Sequence, residues 1–323
     1  MKKNGVLYIA LLVAFTALGL IGFQRLGWGE YLNKTLPVSQ QTEVTTETAE
    51  AQETLSPELK RIQEKNQSRL VSGCFAGKDC VPAIDAPKFV SSAAAKFVKD
   101  EDKVIGIVSG DEARAYPVKI LNWHQIVNDK IGDKDVVVTY CPLCGSAAVF
   151  EAGVTGDFGV SGMLLNNNLV MYDKKTLSYW SQMTGEALTG PQTGENLKKL
   201  PSSLQPWNEW RTAHPKTKVL STDTGFDRDY NLYPYEDYES NPVIYFPVER
   251  TDNRLPTKTL VFGVIDKDGK ATAYPEDELT KAMPAGFAEM MPQSSYWFCW
   301  AAFHPGTEIY KAPVLPAAVP PSI

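Results

Sequence analysis

VIGIVSGDEARAYPVKIL (residues 104–121) returns, altered but in the same order, as VFGVIDKDGKATAYPEDEL (residues 261–279). Each copy reads as a strand, a polar turn, a second strand and then Ala-Tyr-Pro; the second carries one more residue in its turn. A second echo follows each copy downstream. WRTAHPKTKVL (residues 210–220) matches WAAFHPGTEIY (residues 300–310), a Trp-x-x-x-His-Pro-x-Thr-x-Val/Ile pattern. Two echoes in one order predict two related, antiparallel β-rich halves, an internal duplication. The distance between the echoes places a long insertion in the first half, between Leu121 and Trp210. The fold class expected is therefore α+β and β-rich. Frequent strand-forming runs and 11% aromatic residues suit that body better than a helical bundle.

The two ends of the chain are of different character. Residues 5–23 carry no charge, and at about 1.5 Å per residue they span roughly 28 Å, close to the hydrocarbon thickness of a bilayer. Lys2 and Lys3 precede this run, which places the N-terminus in the cytoplasm and the rest outside. No small-x-small cleavage pattern follows, so residues 1–31 are read as an uncleaved N-terminal transmembrane anchor. The membrane is thus an expected partner, and the bulk of the chain is expected to be extracytoplasmic. Residues 32–71 are read as a flexible tether, rich in Thr, Glu and Gln, ending in a short helix with Ser56 as N-cap and Pro57 at its first position. The globular region is expected over 72–311, and 312–323 form a proline-rich tail.

Composition excludes several function classes. The formal net charge is −6 and no stretch gathers basic residues, so nucleic acid is not an expected partner. No phosphate loop, Gly-x-Ser-x-Gly or His-Glu-x-x-His motif occurs, which leaves nucleotide cofactors and hydrolysis without support. The stretch 159–191 presents aromatic and amide residues, but core strands flanked by turns account for it. Residues 221–238, acidic and tyrosine-rich, read as a loop crossing the surface between the halves, where it can cover a site.

Chemistry concentrates in VVVTYCPLCGSAAVF (residues 136–150), inside the insertion. Cys141 and Cys144 admit three readings. A thioredoxin-type redox pair requires a helix starting at the first cysteine, yet Gly153 and Gly156 follow too soon for one. A metal knuckle needs a tight turn aiming two sulfurs at one ion, and Cys-Pro-Leu-Cys-Gly supplies it: proline fixes one φ and glycine accepts a positive one. A plain disulfide across the turn is the third. Of the three histidines, His214 and His304 occupy matching places before a proline and are read as helix-closing residues. The remaining metal ligands would come from His124, Cys299 or His304; His124, which has no counterpart, is the candidate third ligand, with copper or zinc as the ion suited to two thiolates and an imidazole. The alternatives are a thiol–disulfide oxidoreductase using Cys141 and Cys144, or a non-enzymatic envelope protein with structural cysteines. Cys74 and Cys80, bracketing a short loop, are expected to form a disulfide.

The motifs KDCVPAIDAPKFV, ARAYPVKILNWHQIVND, VVVTYCPLCGSAAVF, GVSGMLLNNNLVMYDKKTLSYWSQMTGEAL and FHPGTEIY together resemble an uncharacterised bacterial family, domain of unknown function 3179. The resemblance covers most of residues 72–310. It implies that the segments around His124 and Cys141/Cys144 belong to the family pattern, and it brings no activity with it.

Overall fold

The computed structural model of the chain describes residues 55–313. The expected membrane anchor, all but the end of the expected tether and most of the proline-rich tail lie outside the described residues. Among the described residues no helix is long and apolar enough to cross a membrane.

The body is β-rich α+β, with four sheets and few helices. Two of the sheets are built to one plan. In the first, Lys103–Ser109 and Glu112–Pro117 form an antiparallel hairpin followed by the helix Val118–His124. Ser203–Pro206 then pairs antiparallel with Lys103–Ser109, leads into the helix Trp207–Ala213, and Lys218–Leu220 closes the unit beside Glu112–Pro117. In the second, the hairpin Leu260–Ile265 and Ala271–Pro275 precedes the helix Glu276–Lys281. Gln293–Tyr296, the helix Trp297–Phe303 and Glu308–Ile309 then repeat the same steps. The closing strand is parallel to its neighbour in both units. The other ladders of both units are antiparallel, as expected; the parallel pairing arises because a helical crossover returns the chain to the same end of the sheet.

The repeated residues have one physical role in each unit. Trp210 packs against Gly106 and Trp300 against Gly263, so close that a β-carbon on either glycine would fall 2.3 and 2.2 Å from the indole. The turn after each helix brings a threonine back to the indole N–H: Trp210 Nε1 donates to Thr217 at 3.0 Å and Trp300 Nε1 to Thr307 at 2.9 Å. His214 and His304 are the C-caps, their backbone N–H groups donating to Trp210 and Trp300 and their tilted rings centred 4.1 and 4.0 Å from the same indoles. The Trp-x-x-x-His-Pro-x-Thr pattern is thus a glycine–indole–threonine stack.

Between helix Val118–His124 and strand Ser203–Pro206 the chain forms two further sheets, one of them extended at its edge by Val71–Ser72 from before the first unit. One has the order Lys199–Leu200, Ser146–Glu151, Lys134–Cys141, Ile126–Ile131. The other orders Val71–Ser72, Phe158–Leu165, Asn168–Asp173, Tyr179–Ser181 and Ala187–Thr189. A core of Phe150, Phe158, Trp180, Trp297 and Trp300 joins these inserted strands to the second unit, while Ile105, Tyr116, Ile120 and Val138 belong to a core shared with the first.

The helix Pro57–Arg69 is capped by Ser56, whose hydroxyl accepts from Leu59 N–H at 3.3 Å. It docks on the strand Ala187–Thr189 through buried Asn66, which donates to Leu188 O at 3.1 Å. Cys74 and Cys80 are joined by a disulfide.

Candidate functional site

Cys141 ends the strand Lys134–Cys141 and pairs with Ser146 across a tight turn. Cys144 N–H donates back to Cys141 O at 3.1 Å, and Gly145 takes a φ of +56° where a side chain would strike the ring of Tyr296. The cysteine pair therefore sits on a hairpin turn, and no helix begins at Cys141. The dipole that lowers a thiol pKa in thioredoxin-type sites is missing here.

A second hairpin tip meets this turn from the opposite side. Asn166 and Asn167 both have positive φ, +51° and +64°, as a two-residue turn linking Phe158–Leu165 to Asn168–Asp173 requires. Hairpin tips of this kind normally face water, yet Asn166 and Asn167 are 3% and 1% exposed. Their main-chain carbonyls point at sulfur. Cys144 Sγ lies 3.4 Å from Asn167 O and 4.0 Å from Asn166 O; Cys141 Sγ is 3.9 Å from Asn167 O and Cys299 Sγ 3.9 Å from Asn166 O.

Cys299, on the helix Trp297–Phe303 of the second unit, completes the cluster. It is bonded to Cys144, with 5.8 Å between the α-carbons, and Cys141 is left as a buried free thiol. Three sulfurs from three elements thus gather around two carbonyls. Burial pushes the Cys141 thiol up to about 11, only partly offset by nearby backbone N–H groups. At neutral pH it is a neutral S–H donor.

This shift makes a pH prediction. The folded chain holds the Cys141 proton more tightly than an unfolded chain, in which an ordinary thiol titrates near 9.0. The contribution to stability is complete below that value and is lost as pH rises through about 11. A Cys141→Ala variant should lack this loss of stability, as urea unfolding at rising pH would show.

The structure does not bring His124 to the cysteines. Its Nδ1 lies 2.8 Å from Pro82 O and its Nε2 2.7 Å from the hydroxyl of Tyr230. A carbonyl can only accept, so Nδ1 carries the proton and Nε2 accepts from Tyr230. Burial lowers the imidazole pKa to about 4, keeping it neutral. Both nitrogens are occupied, and among the described residues no group of three or more His, Cys, Asp or Glu is arranged to hold a metal ion. The Cys141–Cys144 pairing is also revised: Cys144 is bonded to Cys299 instead.

The amides of 159–191 are core groups at this site. Asn168, Gln182, Ser146 and Thr139 interlock through hydrogen bonds of 2.8–3.1 Å directly behind the cysteine turn. Residues 221–259, which contain no helix or strand, cross over its front. Tyr238, fully buried, donates to Leu143 O at 2.8 Å inside the Cys-Pro-Leu-Cys turn. Phe246 N–H and Glu249 N–H donate to the side-chain oxygens of Asn167 and Asn166, at 3.0 and 2.8 Å. Trp297 Nε1 donates to Asp252 O at 2.8 Å. The segment that the sequence marked as a crossing loop is longer than 221–238 and covers the cysteines.

Residues 78–289 match the profile of a family described as protein of unknown function, DUF3179. The chain belongs to this family. The DUF3179 match takes in His124, Cys141, Cys144, the Asn166–Asn167 tip and the covering segment, and it stops short of Cys299. No curated protein and no solved structure matches the chain.

Proposed function

We propose that this DUF3179 protein is a membrane-tethered extracytoplasmic protein whose chemistry is thiol–disulfide exchange within a buried three-cysteine cluster. The observation that carries the reading is a free thiol, Cys141, sharing the Asn167 carbonyl with one sulfur of the Cys144–Cys299 disulfide. In the exchange, Cys141 loses its proton and its sulfur attacks Cys144 Sγ. A Cys141–Cys144 bond forms and the Cys144–Cys299 bond breaks. The electron pair leaves on Cys299 Sγ, which takes up a proton. One thiol and one disulfide exist before and after, so no external oxidant is needed.

In each state one of the two carbonyls has an S–H donor. Asn166 O and Asn167 O have only sulfur partners among the described residues, and a buried carbonyl without a donor is costly. Whichever cysteine is free supplies an S–H to one of them. The apolar run at residues 5–23 supports the tether, and an exported setting permits stable disulfides. The matching plans of the two units support an origin by duplication of one unit, with the cysteine-bearing sheets inserted into the first copy.

The test is disulfide mapping on the full chain in detergent, with free thiols trapped by alkylation across pH 7–10. Alkylated Cys299 together with a Cys141–Cys144 bridge is expected, in a fraction that approaches equilibrium faster at higher pH. Both species should vanish in Cys141→Ser. If alkylation finds Cys141 alone at every pH, the cluster does not exchange. Convergence of three sulfurs and two carbonyls also supports a second reading, a soft-metal site for copper or zinc in the reduced protein. About one equivalent of metal in reduced protein, lost in Cys141→Ser, would favour that reading.

A further inference from the structure

We infer that residues 221–259 form an autoinhibitory strap over the cysteine cluster, held shut by the Arg69–Glu249 ion pair. Access to the sulfurs is thereby coupled to the helix that follows the N-terminal tether. The inference rests on the exchange reading in that the strap controls entry to the same site.

Three observations carry it. The first is what the strap lacks. It runs for its whole length without a strand ladder or a helix, so its main chain is attached by scattered contacts, several of them to side chains. A segment held in this way opens locally at a lower free-energy cost than the sheets beneath it. The second is what it covers. Tyr238 seals the Cys-Pro-Leu-Cys turn, and the N–H groups of Phe246 and Glu249 are received by the two asparagines whose carbonyls face the sulfurs. Cys141, Cys144 and Cys299 are all fully buried beneath this region, so no external thiol or disulfide reaches them while it stays in place.

The third is how it is fastened. Among the described residues two salt bridges tie the strap to the rest of the domain. Lys88–Asp223 lies at its beginning, where both side chains are more than 60% exposed. Arg69–Glu249 is different. Arg69 engages the carboxylate through two nitrogens, Nε to Oε1 at 2.6 Å and Nη2 to Oε2 at 2.7 Å, a geometry that fixes orientation as well as distance. Asn166 Nδ2 approaches the same carboxylate at 3.4 Å, while the Glu249 N–H donates to Asn166 Oδ1. Glu249 is thus clamped between the last turn of the helix Pro57–Arg69 and the hairpin tip that meets Cys144 and Cys299. Displacement of that helix, whose N-terminal side leads directly into the tether, removes the clamp.

The experiment measures the rate at which N-ethylmaleimide labels Cys141 in the full chain in detergent micelles, located by peptide mass analysis. Glu249→Gln and Arg69→Gln are each expected to label roughly five-fold faster than wild type. The reversed pair Arg69→Glu/Glu249→Arg should return towards the wild-type rate. Lys88→Gln, which removes the exposed salt bridge, should leave the rate unchanged. Circular dichroism melting of each variant identifies any that fails to fold, and the two single variants act as substitutes for one another. Single-variant rates within two-fold of wild type would overturn the latch. So would an equal acceleration in Lys88→Gln, which would point to general loosening. Faster labelling in the latch variants without any Cys141–Cys144 bridge would uphold the strap and remove the exchange reading, so the two fail separately.

Discussion

Replacing Cys299 with alanine is expected to lower the unfolding free energy of the domain by about 2–5 kcal/mol. The bond it removes joins residues 155 positions apart and ties the inserted hairpin to the helix Trp297–Phe303 of the second unit. A long closed loop is the case in which a cross-link most restricts the unfolded chain. Part of the loss is returned, because the Cys144 thiol released by the substitution can donate to Asn167 O, 3.4 Å away. Urea unfolding of the full chain in detergent, without reductant, measures the difference. Wild-type protein treated with dithiothreitol should unfold at or below the midpoint of Cys299→Ala, since reduction also opens Cys74–Cys80. An unchanged midpoint in Cys299→Ala would mean that this disulfide does not contribute to the folded state. The variant also leaves Cys141 and Cys144 as the remaining pair at the site. A loss of two hydrogens in the peptide holding both is therefore expected under mild oxidation.

How much of this was legible in the sequence differs from element to element. The two units were readable because their signals are local: alternating strands, a polar turn, and a Trp-x-x-x-His-Pro-x-Thr run whose spacing is set by one helical turn and a tight return. The helix start at Ser56 was readable for the same reason. The parallel closing strands were not, since strand direction depends on where a crossover delivers the chain. At the site, the Cys-Pro-Leu-Cys-Gly turn was correctly placed on a hairpin in preference to a helix. Cys299 was weighed only as a possible metal ligand, and its bond to Cys144 went unread because disulfide partners separated by most of a domain leave no local pattern. The one signal available was arithmetic: five cysteines, one of them in the apolar run WFCWAAF, which buries it. His124 attracted attention as the unmatched histidine. Its uniqueness has a structural explanation, since it joins Pro82 to Tyr230 and so anchors the strap. The Asn166–Asn167 turn could be read from its sequence, but not its burial, because that burial is imposed by a strap with no periodicity of its own.

Trp300→Ala and Trp210→Ala are each expected to cost about 3–5 kcal/mol, because both indoles are buried and the glycine beneath each cannot fill the space left. Their surroundings match closely: glycine below, histidine ring centred at about 4 Å, threonine accepting from Nε1. The two losses measured by urea unfolding should therefore agree to within about 1 kcal/mol. Gly106→Ala and Gly263→Ala probe the same stack from below and are expected to cost about 1–3 kcal/mol, since the indole must shift to admit a methyl group. Equal cost to stability does not mean equal effect on the cysteines. Trp300 follows Cys299 directly on the helix Trp297–Phe303 and belongs to the core that contains Cys141 and Cys144; Trp210 packs in a separate core with Val104, Ala115 and Val219. Maleimide labelling of Cys141 should therefore accelerate in Trp300→Ala and stay near the wild-type rate in Trp210→Ala under conditions where both remain folded. If the two variants expose Cys141 alike, the site depends on the stability of the whole domain. If only Trp300→Ala does so, the second unit's stack is what positions Cys299 against Cys144.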